Sequence, residues 1–412
     1  MNLAQKTIIN QGKSAHDVLR LLFEKSAQRQ GDIAKYLHIT KSASNQHFKK
    51  LKDEGYIKTV KKQLNKHGRP SIFWDICADG NYFMGILINL EVISLTLIDF
   101  SGKKIKECSF SLKDKTDQEE FLKKFDKSIY KISSFVYLSS GRILQGFIGI
   151  PGTIKSDGTI INVPYLPALN GLNLEKEIEA RFGLNFYADG KQYIGMQAEK
   201  EYLRTDSTTL ILEWGNGVGG NIVCNYQILN WASVSTKHNR GLWNIGHIPI
   251  VKGGNPCYCG RNGCLEAYVS GAALLKAHPE WRCNDLHQLI GRAVTGDKVY
   301  LEPIGEAAKT LAKSLYWLFE LFGIDSMILE GAFIPVFPFV EDSFRSGLEV
   351  MWSHKKASEF EINISDHSVE KIKMGSALVA RHFYFNSEKM RKSRGVYHSP
   401  YFVKGSEDDA SI

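Results

Sequence analysis

The sequence predicts an α/β protein of two or three domains, led by a winged helix-turn-helix. Three observations carry that expectation. At 412 residues, with 43% hydrophobic and 23% charged residues, the chain has the composition of a globular protein and the length of several domains. Its charge is uneven: residues 1–70 hold twelve lysines and three arginines against three aspartates and two glutamates, a net of +10 in a chain totalling +8. Pairs of short apolar strands also recur twice in the remaining sequence, as in a duplicated α/β fold.

Several classes are excluded at this level. No apolar run approaches the roughly 18 residues of a membrane span, so no membrane insertion is expected. The opening MNLAQKTIINQGK has no apolar core of a secretory signal, and seven cysteines are too few for a disulfide scaffold. A cytoplasmic protein is expected.

The basic head reads as three helices and a wing. His16–Glu24 places Val18, Leu19, Leu22 and Phe23 at helical spacing behind a cap at Ser14. Gly31–Leu37 forms a short second helix, His38 and Ile39 the turn, and Thr40 caps a third helix over 41–54 that Gly55 ends. Its leading turns carry Lys41, Ser42, Ser44, Asn45, Gln46 and His47. Asn and Gln are able to bond adenine bidentately, while Lys and Ser suit guanine or phosphate. Tyr56–Val60 and Ser71–Ile76 read as the strands of a wing. The loop between them is basic and includes Lys62, His67, Gly68 and Arg69, suited to DNA backbone or minor groove. A three-helix interaction module without DNA is the alternative; the charge, the polar helix and the basic wing all favour DNA.

Residues 246–266 carry Cys257, Cys259 and Cys264 with His247 upstream. Three thiolates and an imidazole make the donor set of a closed structural zinc site, and glycines 253, 254, 260 and 263 permit the sharp turns it needs. Iron–sulfur ligation would more typically use four cysteines. Unmetallated thiols are the plainer alternative. A closed site leaves no open position for catalysis.

This Gly-His followed by Cys-x-Cys-Gly-x-x-Gly-Cys-x-Glu resembles the signature of the ROK family of repressors and sugar kinases. Gly149-Ile-Pro-Gly-Thr, Val163–Leu172, Gly215-Asn-Gly-Val-Gly-Gly220, Ile328-Leu-Glu-Gly-Ala and Met374–Ala380 extend the resemblance over about residues 10–386. The head with its Gly-Arg-Pro wing resembles the transcriptional-repressor branch, with its xylose-, N-acetylglucosamine- and Mlc-type repressors. The resemblance implies a two-lobed actin-like body of the sugar kinase type. The expected division is a winged helix-turn-helix over 1–80, a first lobe over 81–190, a second lobe with the zinc loop over 191–386, and a tail over 387–412. Tyr82–Ile88 with Ile93–Asp99, and Thr209–Glu213 with Gly220–Val223, are the two opening hairpins.

The resemblance also implies where chemistry belongs. Family kinases carry a Gly-rich first phosphate loop between their first strands. Here that stretch is Leu87-Ile-Asn-Leu-Glu91, whose bulk and charge oppose a nucleotide, so no catalytic residue and no kinase activity are expected. Asp189 matches the kinases' general base. His247 and Glu266 match sugar-hydroxyl contacts, His247 serving both metal and sugar. Ala188 and Asn244 depart from the pattern, so Asn244 marks an altered effector pocket. The implied function is a sugar-responsive transcriptional regulator, a repressor of carbohydrate uptake or metabolism genes. It would bind a palindromic double-stranded operator and a sugar-type effector as a homodimer or homotetramer. The alternatives are a sugar kinase with an appended DNA-binding head, and a regulator governed by a protein partner without sugar binding.

Overall fold

The computed structural model describes residues 14–62, 71–89, 92–112, 117–161, 163, 166–191, 194–195, 207–224, 227–228, 245–352, 354–365 and 369–386. The wing-tip residues His67, Gly68 and Arg69, together with Asn244 and the tail 387–412, lie outside them, as do residues 90 and 91 of the degenerate loop.

The head forms as the periodicity predicts. Helix α1 (Ala15–Lys25) begins at a capping box in which Ser14 and Asp17 satisfy each other's backbone, α2 spans Gln30–Tyr36, and α3 spans Lys41–Asp53. Thr40 Oγ1 accepts the Ala43 amide at 3.2 Å, and Gly55 leaves α3 at φ 71°. Strands β1 (Ile57–Lys62) and β2 (Ser71–Ile76) pair antiparallel, and Phe48 of α3 packs edge-on against Trp74 of β2.

Each lobe is built on a five-stranded mixed sheet. In the first, β3 (Asn81–Ile88), β4 (Val92–Asp99), β5 (Lys104–Ser111), β6 (Arg142–Ile150) and β9 (Phe186–Gly190) lie in the order β5-β4-β3-β6-β9. A small hairpin, β7 (Thr153–Ile154) and β8 (Ile160–Ile161), stands beside it. In the second, β10 (Thr208–Trp214), β11 (Val218–Cys224), β12 (Gln227–Ile228), β13 (Ser326–Glu330) and β14 (Glu361–Ile364) lie in the order β12-β11-β10-β13-β14. Both sheets join an antiparallel hairpin (β3 with β4, β10 with β11) to a parallel partner (β6, β13), the repeat expected of a duplicated actin-like body.

Strand β3 is buried along its whole length, so its period of two serves two cores. Met84, Ile86 and Ile88 face helix α4 (Gln118–Leu138), whose Phe121, Phe125, Ile129 and Ile132 fill that layer. Phe83 and Leu87 face the other way, into a core shared with the head and with helix α12 (Val369–Asn386). Gly85 makes that contact possible, because a Cβ there would lie 2.1 Å from Ala377 N and Ser376 Oγ.

This placement corrects the expected domain division. Helix α12 follows the second lobe in sequence but packs on β3, β4 and β6 of the first. Its C-terminal turn also seats the head. Phe385 stacks on Phe23 with ring centroids 4.4 Å apart, His16 Nε2 lies 3.2 Å from the Tyr384 carbonyl, and the Arg381 guanidinium covers the Phe23 ring. From the first lobe, Arg142 donates to the Glu54 carbonyl and covers Tyr56, while Asn81 Nδ2 donates to the Gly55 carbonyl.

Candidate functional site

The head presents Lys41, Ser42, Asn45 and Gln46 as exposed residues on the first two turns of α3. Ser44 is a correction. It is 1% exposed, because positions 44, 48 and 51 share one helical face and Phe48 and Leu51 bury it in the core. Its hydroxyl accepts Gln30 Nε2 at 3.2 Å and cannot reach a groove. Gln30 was not visible as a site residue in the sequence; its amide also donates to Asn45 Oδ1 at 2.8 Å. Lys62 ends β1, with its side chain outside the described residues.

The four metal-ligand candidates converge. The ligand atoms of His247, Cys257, Cys259 and Cys264 lie within 4.8 Å of one another, which makes the cluster able to hold a metal ion. Cys259 and Cys264 sulfurs are 3.7 Å apart, and Cys257 Sγ lies 3.4 Å from His247 Nδ1. A tetrahedral ion with metal–sulfur bonds of about 2.3 Å separates its sulfurs by about 3.8 Å, so the donor set fits. Bridges pairing Pro249 with Cys264 and Pro256 with Asn262 hold the loop, and Gly263 turns at φ 78° where a Cβ would strike the Val251 carbonyl. Burial pushes the Cys257 thiol up to about 12. Cys259 is pulled down to about 7, its own burial being outweighed by Arg261. Burial, with Arg261 nearby, also lowers the His247 imidazole, favouring the neutral form a ligand needs.

The carboxylates matched to sugar positions are both deeply placed. Asp189, at the end of β9, is fully buried; Tyr187 Oη donates to its Oδ2 at 2.9 Å and the Gly190 amide to its Oδ1 at 2.7 Å. Glu266 is 7% exposed, accepts the Val218 amide at 2.8 Å, and has its pKa raised by burial. It opens a short helix, α6 (Glu266–Val269), followed by α7 (Gly271–Ala277), whose first amides cap the carbonyls of Gly215 and Asn216. Of the 215–220 stretch, residues 215–217 are a tight hairpin turn between β10 and β11, with the Gly215 amide donating to the Gly217 carbonyl, and 218–220 already belong to β11.

Between the lobes lies a cavity of about 120 Å³, lined among others by Leu87, Asn89, Lys191, Glu213, Asn221 and Glu330. Leu210, Leu212 and Trp214 of β10 face the second core, so alternation turns Ile211 and Glu213 toward this cleft; Ile328 and Glu330 of β13 follow the same rule. Glu213 and Glu330 are register partners on adjacent parallel strands. Lys191, two residues beyond Asp189, reaches across from the first lobe and pairs with Glu213 at 2.5 Å. Burial works against its ammonium, but Glu213, with Glu330 beyond it, outweighs burial and holds its pKa above the usual lysine value. The signal for these residues was present in the sequence as charges inside apolar strand patterns. At the degenerate loop, Leu87 is buried within β3 and the Asn89 amide closes a tight turn onto the Val92 carbonyl.

Comparison with known proteins agrees with this architecture. Residues 14–59 match the profile of the bacterial regulatory protein arsR family, a helix-turn-helix. The xylose repressor of Caldicellulosiruptor bescii is 26% identical over 261 residues, covering 63% of this chain and 64% of the repressor's own length. The kanosamine kinase of Amycolatopsis mediterranei is 26% identical over 263 residues, 62% of this chain and 82% of the kinase. The crystal structure of a ROK family transcriptional regulator, a homologue of the Escherichia coli MLC protein, superposes with a TM-score of 0.73 at 18% identity, covering 90% of this chain and 96% of that one. Residues 84–382 match the ROK family profile itself, and with both lobes and the cysteine loop in place the chain belongs to the ROK family.

Proposed function

We propose that the protein is a sugar-responsive DNA-binding transcriptional regulator, a repressor of genes for carbohydrate uptake or metabolism. The observation that carries this is a winged helix-turn-helix seated on a ROK body in which Leu87 is buried in β3, where the family's kinases carry a Gly-rich phosphate loop. Repressors among the relatives and the basic charge of the head support it. Two heads reading paired half-sites suit a homodimer or homotetramer on a palindromic operator in the cytoplasm. Among the described residues no helix is long and apolar enough to cross a membrane.

In this reading a sugar-type effector enters beside Asp189, His247 and Glu266, with Asn244 proposed from the family resemblance as a further contact, and biases the closure of the cleft. Only a ligand with different affinities for the open and closed states achieves this. Helix α12 supports the coupling: Ile372 near its start lines the cleft, and Tyr384 and Phe385, about 18 Å further along, hold the head. The cysteine cluster is proposed to hold structural zinc, which when bound would fix the loop that positions Glu266. The domain limits read from sequence stand as proposed, with 369–386 reassigned to the first lobe.

The kanosamine kinase relative favours a second reading, a sugar kinase with a DNA-binding head. The cleft opposes it: Leu87 is buried in β3 where the family's kinases carry a Gly-rich phosphate loop, and two carboxylates, Glu213 and Glu330, line the space between the lobes. The deciding experiment is selection of bound fragments from genomic DNA at about 0.15 M salt. A palindromic site beside sugar genes is the expected result. Recovery of background alone, with ATP turnover on a hexose that Asp189→Asn abolishes, would establish the kinase instead.

A further inference from the structure

We propose that Gln30 is a specificity-determining residue of the head, acting by holding the amide of Asn45 in one orientation; the inference rests on the DNA-binding reading above. Gln30 is the first residue of α2, opposite the leading turns of α3. Its Nε2 bonds at once to Ser44 Oγ, which is buried, and to Asn45 Oδ1, which belongs to an exposed residue. Ser44 is therefore the anchor and Asn45 the group being held.

The backbone beneath Gln30 is itself fixed. Two residues earlier, Gln28 exchanges both backbone hydrogen bonds with Trp74 of the wing strand, at 2.9 and 2.8 Å. Gln30 thus joins the recognition helix to a platform shared by α2 and β2.

The consequence lies in the chemistry of a carboxamide. The terminal torsion of a free Asn side chain is broad, so its oxygen and nitrogen exchange places and either face meets a base. With Oδ1 drawn to Gln30, the Nδ2 hydrogens are the part of Asn45 directed to other partners. A donor there suits bases with major-groove acceptors: guanine N7 and O6, adenine N7, or thymine O4. A residue that merely stabilised the head would change binding to all sequences alike. A residue that orients Asn45 changes the preference at the one base pair that Asn45 reads.

The test is sequencing of duplexes retained from a random library by the full chain at about 0.15 M salt. Wild type, Asn45→Ala, Gln30→Ala and Gln30→Glu are compared. Asn45→Ala is expected to flatten preference at one base pair per half-site by about tenfold. Gln30→Ala is expected to flatten that same pair by a similar factor and leave the others intact. Alanine is a good helix former, so the variant should keep its fold, which an unchanged thermal unfolding curve verifies. The Gln30→Glu carboxylate accepts from Nδ2 but cannot donate to Oδ1. It should turn the amide over and move the preferred base toward adenine or cytosine, whose exocyclic amines donate.

A wild-type motif that Gln30→Ala leaves unaltered at that base pair overturns the inference alone. So does a uniform loss across all positions, or retention of the wild-type base by Gln30→Glu. If wild type itself enriches no motif, the inference and the DNA-binding reading fall together.

Discussion

Lys191 stands between two carboxylates, and this makes the two ends of its ion pair unequal. Glu213 and Glu330 are register partners on neighbouring strands, which lie about 4.8 Å apart. Like charges directly opposite each other destabilise a sheet, and at about 5 Å with an effective dielectric near 20 the repulsion is about 3 kcal/mol. Glu213, about one-third exposed, loses part of that to solvent while Glu330 is buried, leaving about 2 kcal/mol. Lys191→Met removes the cation and uncovers this repulsion. Glu213→Gln leaves Lys191 with Glu330 and should cost only about 1 kcal/mol. Backbone hydrogen exchange over 208–214 and 326–330 measures the difference, since local opening sets the exchange rate. Protection should fall about thirtyfold in Lys191→Met and about fivefold in Glu213→Gln. Equal losses, or a greater loss for Glu213→Gln, would show that Lys191 does not shield the two glutamates from each other.

Further outcomes test the head, the loop and the surface. Thr40→Ala removes the cap of α3 and should cost about 1 kcal/mol, read from denaturant unfolding of the head, with weaker DNA binding alongside. Elemental analysis of the reduced protein should find one zinc per chain, lost in Cys264→Ser; purified protein with intact thiols and no metal would refute the site. Glu107 is partly buried, which raises its pKa, but Lys373 and Lys104 outweigh this and hold it below the usual carboxylate value. A depressed folded pKa gives stability that is present above the unfolded pKa and lost as pH falls through the folded one. Glu107→Gln should therefore lower Tm near pH 7, and that deficit should shrink as pH falls below the usual carboxylate range and the folded wild-type carboxyl takes up its proton.

Local chemistry was legible where local rules decide. Ser14 and Thr40 cap the helices they precede, and both hairpins fall where alternation places them. The four metal-ligand candidates could be named from spacing because the loop that gathers them is short. Ser44 departs from the expected groove-facing role because its spacing from Phe48 and Leu51 puts it on the apolar face, where position outweighs the polarity of a hydroxyl. Gln30 escaped because its partners lie 14 and 15 residues away, across a turn whose geometry the sequence does not show. Helix α12 lies on the first lobe although it follows the second in sequence, for the same reason at larger scale. Its apolar residues announce that it is buried, but which sheet receives it depends on Gly85 nearly 300 residues earlier.

The seat of the head has a temporal side. His16 meets Tyr384 across 368 residues of chain, so α1 leaves the ribosome long before α12, on which it docks. At synthesis rates of about 5–20 residues per second, roughly twenty seconds or more separate their emergence. During that interval the nascent head carries Phe23 without Phe385, and its first helix lacks the aromatic cover that α12 brings. Incomplete translation products ending before residue 369 would therefore hold a helix-turn-helix sequence seated only by the first-lobe contacts of Asn81 and Arg142, without the aromatic half of the seat that α12 supplies.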